Sequence, residues 1–329
     1  MANKATFDPP SSILYPRCFL VAGPTAVGKS QFALQLAEQL GGEIISADSM
    51  QVYRGLDIGT AKPSPAERAR VSHHLIDICN LTESFDAAQF ARLARRAVAE
   101  IQSRGRVPIL CGGTGFYFKA FLEGLGEAPS ADSKLRVELE ATPLKNLLAE
   151  LRERDPVIYE KIDKKNPRRV IRAVEVIRLT GKPFSAQKSR WGETPGAPVL
   201  AESQSGSRGR SPHQIKFYCF TRSAADLRRR IDARVDEMFA RGLVDETREL
   251  LQRGLAENKT AMQAIGYRQV AEHLRGERSM KETIELVKTR TRHFAKRQLT
   301  WFRAQKNLEW IELKPDEPLA EISRRLAKV

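Results

Sequence analysis

No apolar run in the sequence approaches the length of a membrane span, which leaves no candidate for a transmembrane helix. The first residues, MANKATFDPPSSILYPR, lack the apolar core of a secretory signal and read as a loose leader, so a cytoplasmic protein is expected. Cysteine is scarce. Cys18, Cys79, Cys111 and Cys219 are scattered, mostly through strand-like runs, with no paired spacing that would hold a metal or frame disulfides. They read as small buried hydrophobes in a reducing compartment. His73 and His74 have no partner at ligand spacing and read as structural. There is no internal repeat. Acid is the minority charge, with 40 Asp and Glu against 55 Lys and Arg, a net +15. Such a balance is either an incidental basic surface or the mark of a polyanionic partner such as nucleic acid, and the location of the charge must decide.

What is present is the make-up of a soluble globular protein, 41% hydrophobic and 29% charged, with length enough for two lobes. From about Arg17 to Gly126 strand-like and helix-like segments alternate. CFLVA is a short buried strand. SQFALQLAEQL puts Phe32, Leu36 and Leu40 on one helical face, with Gly41 and Gly42 as the stop. EIISAD is the next strand, HLIDI and VPILC are further candidates, and SFDAAQFARLARRAVAEIQSRG has a helical period ending at Gly105. This alternation predicts a mostly parallel sheet covered on both faces.

From about Glu127 to Trp191 the texture changes to helix without strand. In NPRRVIRAVEVIRLTG, Asn166 is the expected N-cap, Pro167 the first helical residue and Gly181 the stop. Val170, Val174 and Ile177 share one face, while Arg168, Arg169, Arg172 and Arg178 lie off it. WGETPGAPVLAESQSGSRGRSP is rich in Gly, Ser and Pro and reads as a mobile loop. IKFYCFT then returns as a strand, and the remainder is largely helical. The predicted partition is a core over residues 13–126, a helical insertion over 127–190, a flexible loop over 191–213, and completion of the core with basic helices over 214–329.

Between the first strand and the first helix stands Gly23-Pro24-Thr25-Ala26-Val27-Gly28-Lys29-Ser30, which satisfies G-x-x-x-x-G-K-[ST] with the flanks the motif requires. Backbone N–H groups and a helix N-terminus surround a di- or triphosphate in such a loop. Lys29 adds a point charge, and Ser30 can hold a Mg²⁺ that bridges phosphate oxygens. The fold class expected is therefore α/β, a P-loop NTPase-like parallel sheet flanked by helices, with a helical insertion and a helical C-terminal region. The second acid of an NTPase is missing, since RVPILC runs into Gly112-Gly113-Thr114. Asp77 follows only a short apolar run. Asp48, ending EIISAD, is better placed, because ligands of open α/β sheets bind at the carboxyl ends of strands; it could also be a plain turn or cap residue.

These residues resemble a known family. GPTAVGKS, ISADSMQVYRGLDIGTAKP, GGTGFYFKA, SADSKLR, NPRRVIRAVEV, QAIGYRQ and RTRHFAKRQLTWFR stand in the order and approximate spacing of tRNA dimethylallyltransferases, over about Arg17 to Trp310. The WGETPG…RGRSP stretch is longer than the usual connection, and no zinc-finger pattern follows at the C-terminus, which points to a bacterial-type member. The resemblance implies transfer of a dimethylallyl group from dimethylallyl diphosphate to N6 of the adenosine 3′ of the anticodon, with release of diphosphate and a need for Mg²⁺. It implies Asp48 as the base, with Thr114 and Lys29 completing the catalytic set. Gly23 to Ser30 would hold the diphosphate, with the Thr25 and Thr114 hydroxyls as donors. Arg230 would help, or would be a solvated helix arginine.

For tRNA the resemblance implies contacts from Asp48, Ser49, Met50, Gln51 and Thr114. Gln51 would read a base edge or would simply be surface polar. A second segment comprises Gln263, Ala264, Ile265, Gly266, Tyr267 and Arg268, in which Tyr267 either stacks on a base or packs in the core. The acid-free run KTRTRHFAKRQLTWFR offers Arg290, Arg292, Lys296, Arg297 and Arg303 to phosphates, Arg292 and Lys296 one helical turn apart. Arg136, Arg168, Arg169, Val170, Ile171 and Arg172 would grip the anticodon stem. A monomer is expected. Two competing readings share the loop: a small-molecule or nucleotide kinase, which predicts ATP turnover, and a non-enzymatic RNA-binding protein, which predicts tRNA binding indifferent to dimethylallyl diphosphate.

Overall fold

The structure is a computed structural model that describes residues 17–125, 129, 131–188, 214–315 and 317–327. The loop expected over 191–213 lies outside the described residues. Six strands, β1 (Arg17–Ala22), β2 (Gly42–Ala47), β3 (His73–His74), β4 (Val107–Gly112), β5 (Gln214–Thr221) and β6 (Glu309–Glu312), form one sheet in the order β3-β2-β4-β1-β5-β6. Every neighbouring pair is parallel. The inner strands carry apolar runs, CFLVA in β1, EII in β2, ILC in β4 and FYCF in β5, as expected where helices cover both faces.

Local sequence sets the helices. The helix Lys29–Leu40 buries Phe32, Leu36 and Ala37 and stops at Gly41, whose φ of +61° a side chain would strain. Ala87–Ser103 and Met280–Arg303 each begin with a capping box, Asp86 with Gln89 and Ser279 with Glu282, which satisfies donors a helix start leaves open. Phe32 and Phe220 meet at 4.5 Å in the core packed on the sheet, among Val21, Leu36, Ile109 and Tyr218. Each such side chain contributes about 1.5–3 kcal/mol by leaving water.

Two expectations differ from the outcome. HLIDI keeps only its first residue, His74, as strand, joined in β3 by the preceding His73, because Leu75 and Asp77 take φ of +60° and +56° and turn the chain out of the sheet. β6 is a strand the sequence does not announce; EWIE is four residues with Trp310 and Ile311 adjacent, too short to show alternation.

Contacts divide the chain into two compact units, one within Met1–Phe121 and Gln204–Val329, the other within Leu122–Ser203. The second contains helices and, among its described residues, no strand. Its core gathers Leu139, Leu147, Leu151, Val170, Val174 and Ile177. The helix Pro167–Thr180 starts at Asn166, whose side chain accepts the Arg169 N–H, and ends at Gly181 in the left-handed region.

Candidate active site

Strand register brings the site together. Ala22, Gly112 and Ala47 lie in one row across β1, β4 and β2. Gly23, Gly113 and Asp48 therefore leave the sheet side by side, with strands about 4.8 Å apart. The phosphate loop, the Gly113-Thr114 turn and the candidate base share one rim at the carboxyl end of the sheet.

The loop is arranged as an anion cradle. Gly23, Ala26 and Gly28 have φ of +146°, +63° and +109°, the left-handed turns that let successive N–H groups face one point. A Cβ on Gly23 would stand 2.8 Å from the Phe220 carbonyl oxygen, so no larger residue fits there. The outward carbonyls are held by arginines: Arg230 Nε donates to Ala26 at 2.9 Å and Arg222 Nε to Val27 at 2.8 Å. Arg222 is buried and paired with Asp226 at 2.8 Å. Lys29 Nζ donates to the Pro24 carbonyl at 3.2 Å. Burial pushes the Lys29 ammonium below its ordinary pKa, with the Asp48 carboxylate among the groups acting against that shift.

Asp48 divides its two oxygens. Oδ1 accepts the N–H of Met50 at 2.9 Å and of Gln51 at 3.4 Å, which makes the residue a turn cap. No hydrogen bond engages Oδ2 among the described residues, which leaves it open to accept a proton. The Thr114 Oγ1 accepts the Ser49 N–H at 3.2 Å, and the Thr114 N–H donates to the Ala47 carbonyl at 3.2 Å. Gln298, buried on the Met280–Arg303 helix, accepts the Thr25 N–H and donates to the Gly113 carbonyl, each at 2.9 Å.

Several expected nucleic-acid contacts are taken up by the fold itself. The Gln51 amide is engaged internally: Oε1 accepts from Ser46, and Nε2 donates to the Thr60 and Ala61 carbonyls, so it has no donor left to pair a base edge bidentately. Tyr267 is fully buried; its hydroxyl accepts the Gly59 N–H and donates to Glu246 at 2.6 Å, so the ring packs rather than stacks. Ala264 and Gly266 are buried beside it, Ile265 is half-buried, and Gln263 and Arg268 are exposed. Arg292 pairs with Asp232 at 2.6 Å, an acid supplied by the helix Ala224–Ala240. Lys296, Arg297, Arg290 and Arg303 are exposed and form no ion pair among the described residues. The i, i+7 spacings 290/297 and 296/303 set these four cations in two rows, a basic stripe along the exposed side of one helix.

In the second unit Glu175 is fully buried and neutralised by Arg136 at 2.9 Å and Arg172 at 2.8 Å. Those two arginines compensate a buried carboxylate, which constrains them as phosphate grips. Val170 is buried in that unit's core, so its side chain has no surface for RNA, while Arg168 and Arg169 are exposed and Ile171 is half-buried.

Sequence reading missed Arg234, one helical turn beyond Arg230. Burial lowers its pKa, and the negative charge of Asp48 acts against that shift. Its i+4 spacing from Arg230 was the available signal. Asp77, the other acid weighed, belongs elsewhere: it pairs with Lys62 at 2.5 Å and Arg68 at 2.8 Å. His74 bonds to Glu43 at 2.6 Å and His73 to the Val71 carbonyl at 2.7 Å. Among the described residues no group of three or more His, Cys, Asp or Glu could cage a metal. The oxygen donors at the rim are the exposed Ser30 hydroxyl and Asp48, a set that suits a hard cation held largely by a substrate's phosphate oxygens.

A G-x-x-x-x-G-K-S loop on a parallel sheet, with an unspent carboxylate on the same rim, defines a P-loop-like α/β protein. The sequence model described as IPP transferase matches residues 51–305. A tRNA dimethylallyltransferase 1 of Trichlorobacter lovleyi is 45% identical over 300 residues, covering 90% of this chain and 93% of its own. The crystal structure of a tRNA isopentenylpyrophosphate transferase from Bacillus halodurans superposes with a TM-score of 0.66 at 39% identity, over 95% of this chain and 96% of that one. A eukaryotic dimethylallyltransferase acting on tRNA superposes with a TM-score of 0.74 at 28% identity, over 90% and 73%. The chain belongs to the IPP transferase family, and it is a transferase.

Proposed function

We propose that the protein moves a dimethylallyl group from dimethylallyl diphosphate to N6 of the adenosine 3′ of the anticodon in tRNA, releasing diphosphate. The observation that carries this reading is the open Oδ2 of Asp48 on the rim that also bears the anion cradle. As the allylic carbon–oxygen bond stretches, negative charge grows on the diphosphate, and the loop N–H groups with Lys29 are preorganised for it. Arg230 and Arg234 add positive potential beside the loop. An adenine exocyclic amine is a poor nucleophile because its lone pair is delocalised, and Oδ2 accepts its proton as the new carbon–nitrogen bond forms. Thr114 holds Ser49 and keeps a hydroxyl proton to donate.

Ser30 would hold Mg²⁺ together with diphosphate oxygens, and the ion when bound neutralises charge on the leaving group. The target base must leave its stack, which costs a few kcal/mol. The exposed stripe Arg290, Lys296, Arg297 and Arg303 supplies phosphate contacts, with Arg168 and Arg169 on the second unit. The protein would act as a monomer. Family membership sets aside the kinase and the non-enzymatic readings. Incubating purified protein with unmodified tRNA, Mg²⁺ and radiolabelled dimethylallyl diphosphate tests the proposal. Label is expected on one adenosine, with diphosphate released and no ATP required; label-free tRNA would overturn it.

A further inference from the structure

Gln298 stands apart from the tRNA-facing residues of its helix. Lys296 and Arg297 are exposed, whereas Gln298 is 7% exposed and turned inward. Its amide uses both functions at once: Oε1 accepts the Thr25 N–H of the phosphate loop at 2.9 Å, and Nε2 donates to the Gly113 carbonyl at 2.9 Å. Gly113 leads into Thr114, which is bonded to Ala47 and Ser49 on either side of Asp48. The chain of contacts therefore runs from the anion cradle through one amide to the Gly113-Thr114 turn, which is bonded on either side of the candidate base. A neutral group with one donor and one acceptor at this reach is a glutamine; asparagine is shorter and glutamate lacks the donor.

The turn is shaped to receive this helix. A Cβ on Gly113 would stand 2.1 Å from Gln298 Nε2, and a Cβ on Gly115 would stand 2.1 Å from Trp301 Cε3. Two glycines thus let the helix seat its inner face against the turn, one residue to each side of Thr114.

We infer that Gln298 is a positioning residue that sets the separation between the diphosphate cradle and the Asp48–Thr114 pair, and so the distance between the allylic carbon and the attacking amine. The inference rests on the proposed prenyl transfer. Misplacement by an ångström at such a site costs about a hundredfold in rate. The bonds lie inside the protein, so their loss acts on turnover rather than on tRNA capture.

Three variants of the full chain test it: Q298M, which keeps length and volume without either bond; G113A, which displaces the amide from the opposite side; and the double variant. Each single variant is expected to lower kcat by about ten- to a hundredfold with KM for tRNA within about threefold. The double variant is expected to lose no more than the worse single one, since both break one contact. Equal kcat in Q298M and wild type, or multiplied losses in the double variant, would overturn the inference. Backbone hydrogen exchange on the unsubstituted protein covers the case in which variants unfold. The Thr25 amide is expected to exchange slowly, and exchange at the rate of an open loop would overturn the inference as well. Absence of transfer by the unsubstituted enzyme would instead defeat the proposed function, so the two failures are distinguishable.

Discussion

Thr114 Oγ1 accepts the Ser49 backbone N–H at 3.2 Å, which ties the end of one strand to the residue after the candidate base on another. The hydroxyl thereby braces the turn at Asp48, and in the proposed reaction its own proton is left to donate to substrate. Thr114→Val is expected to lower transfer about tenfold to a hundredfold, while Thr114→Ser stays within a few-fold of wild type. Steady-state kinetics with both substrates check this.

Lys29 gives a pH signature. Its ammonium titrates below the ordinary lysine value because burial disfavours charge, with Asp48 among the opposing groups. The charged form binds the anion. Affinity for inorganic pyrophosphate is therefore expected to hold at neutral pH and to fall as pH rises through this depressed pKa, before free lysine would titrate near 10.4. Calorimetric titration across the alkaline range should show the fall in wild type and a flat, weaker profile in Lys29→Met.

How much of this was legible before the fold was known can be read from particular residues. The loop from Gly23 to Ser30, the strand end at Asp48 and the helix from Pro167 carried local signals of spacing, caps and periodicity, and the structure has them where those signals point. The losses came from tertiary pairing. Nothing near Arg292 in sequence is acidic, yet the fold sets Asp232 against it from 60 residues away. Gln51 and Tyr267 look like readers of a base, yet one closes on Ser46 and Thr60 and the other on Glu246 and Gly59. A polar side chain's type shows what it can bond; only the fold shows whether that capacity is already spent.

Electrostatic contacts to RNA should sort accordingly. Arg297→Ala or Lys296→Ala is expected to weaken all tRNAs alike and to reduce the slope of log affinity against log salt by about one. Arg292→Ala is expected to change that slope less, because its guanidinium already serves Asp232. Filter binding over a salt series distinguishes the two.

Lys62 is buried between Asp57 and Asp77 and also donates to the Tyr53 carbonyl at 2.6 Å, holding the loop that follows Asp48. Burial alone would raise the Asp77 carboxyl; the bonds from Lys62 and Arg68 outweigh it and hold the pKa below its ordinary value. A carboxylate depressed in the folded state adds stability that is full above its unfolded value, about 3.9, and fades as pH falls through the folded one. Lys62→Met is expected to cost about 1–3 kcal/mol near pH 7, discounted for the partial exposure of both acids, and to flatten the loss of stability below about pH 4. Urea unfolding at a series of pH values measures both.

The most direct measurement is the single-turnover rate of Asp48→Asn with saturating tRNA and dimethylallyl diphosphate. Asparagine keeps an oxygen to cap the Met50 N–H but offers no carboxylate to take the proton. The expected result is a rate at least about a hundredfold below wild type, with tRNA and pyrophosphate affinities within a few-fold. An undiminished rate would contradict the assignment of Asp48 as the base.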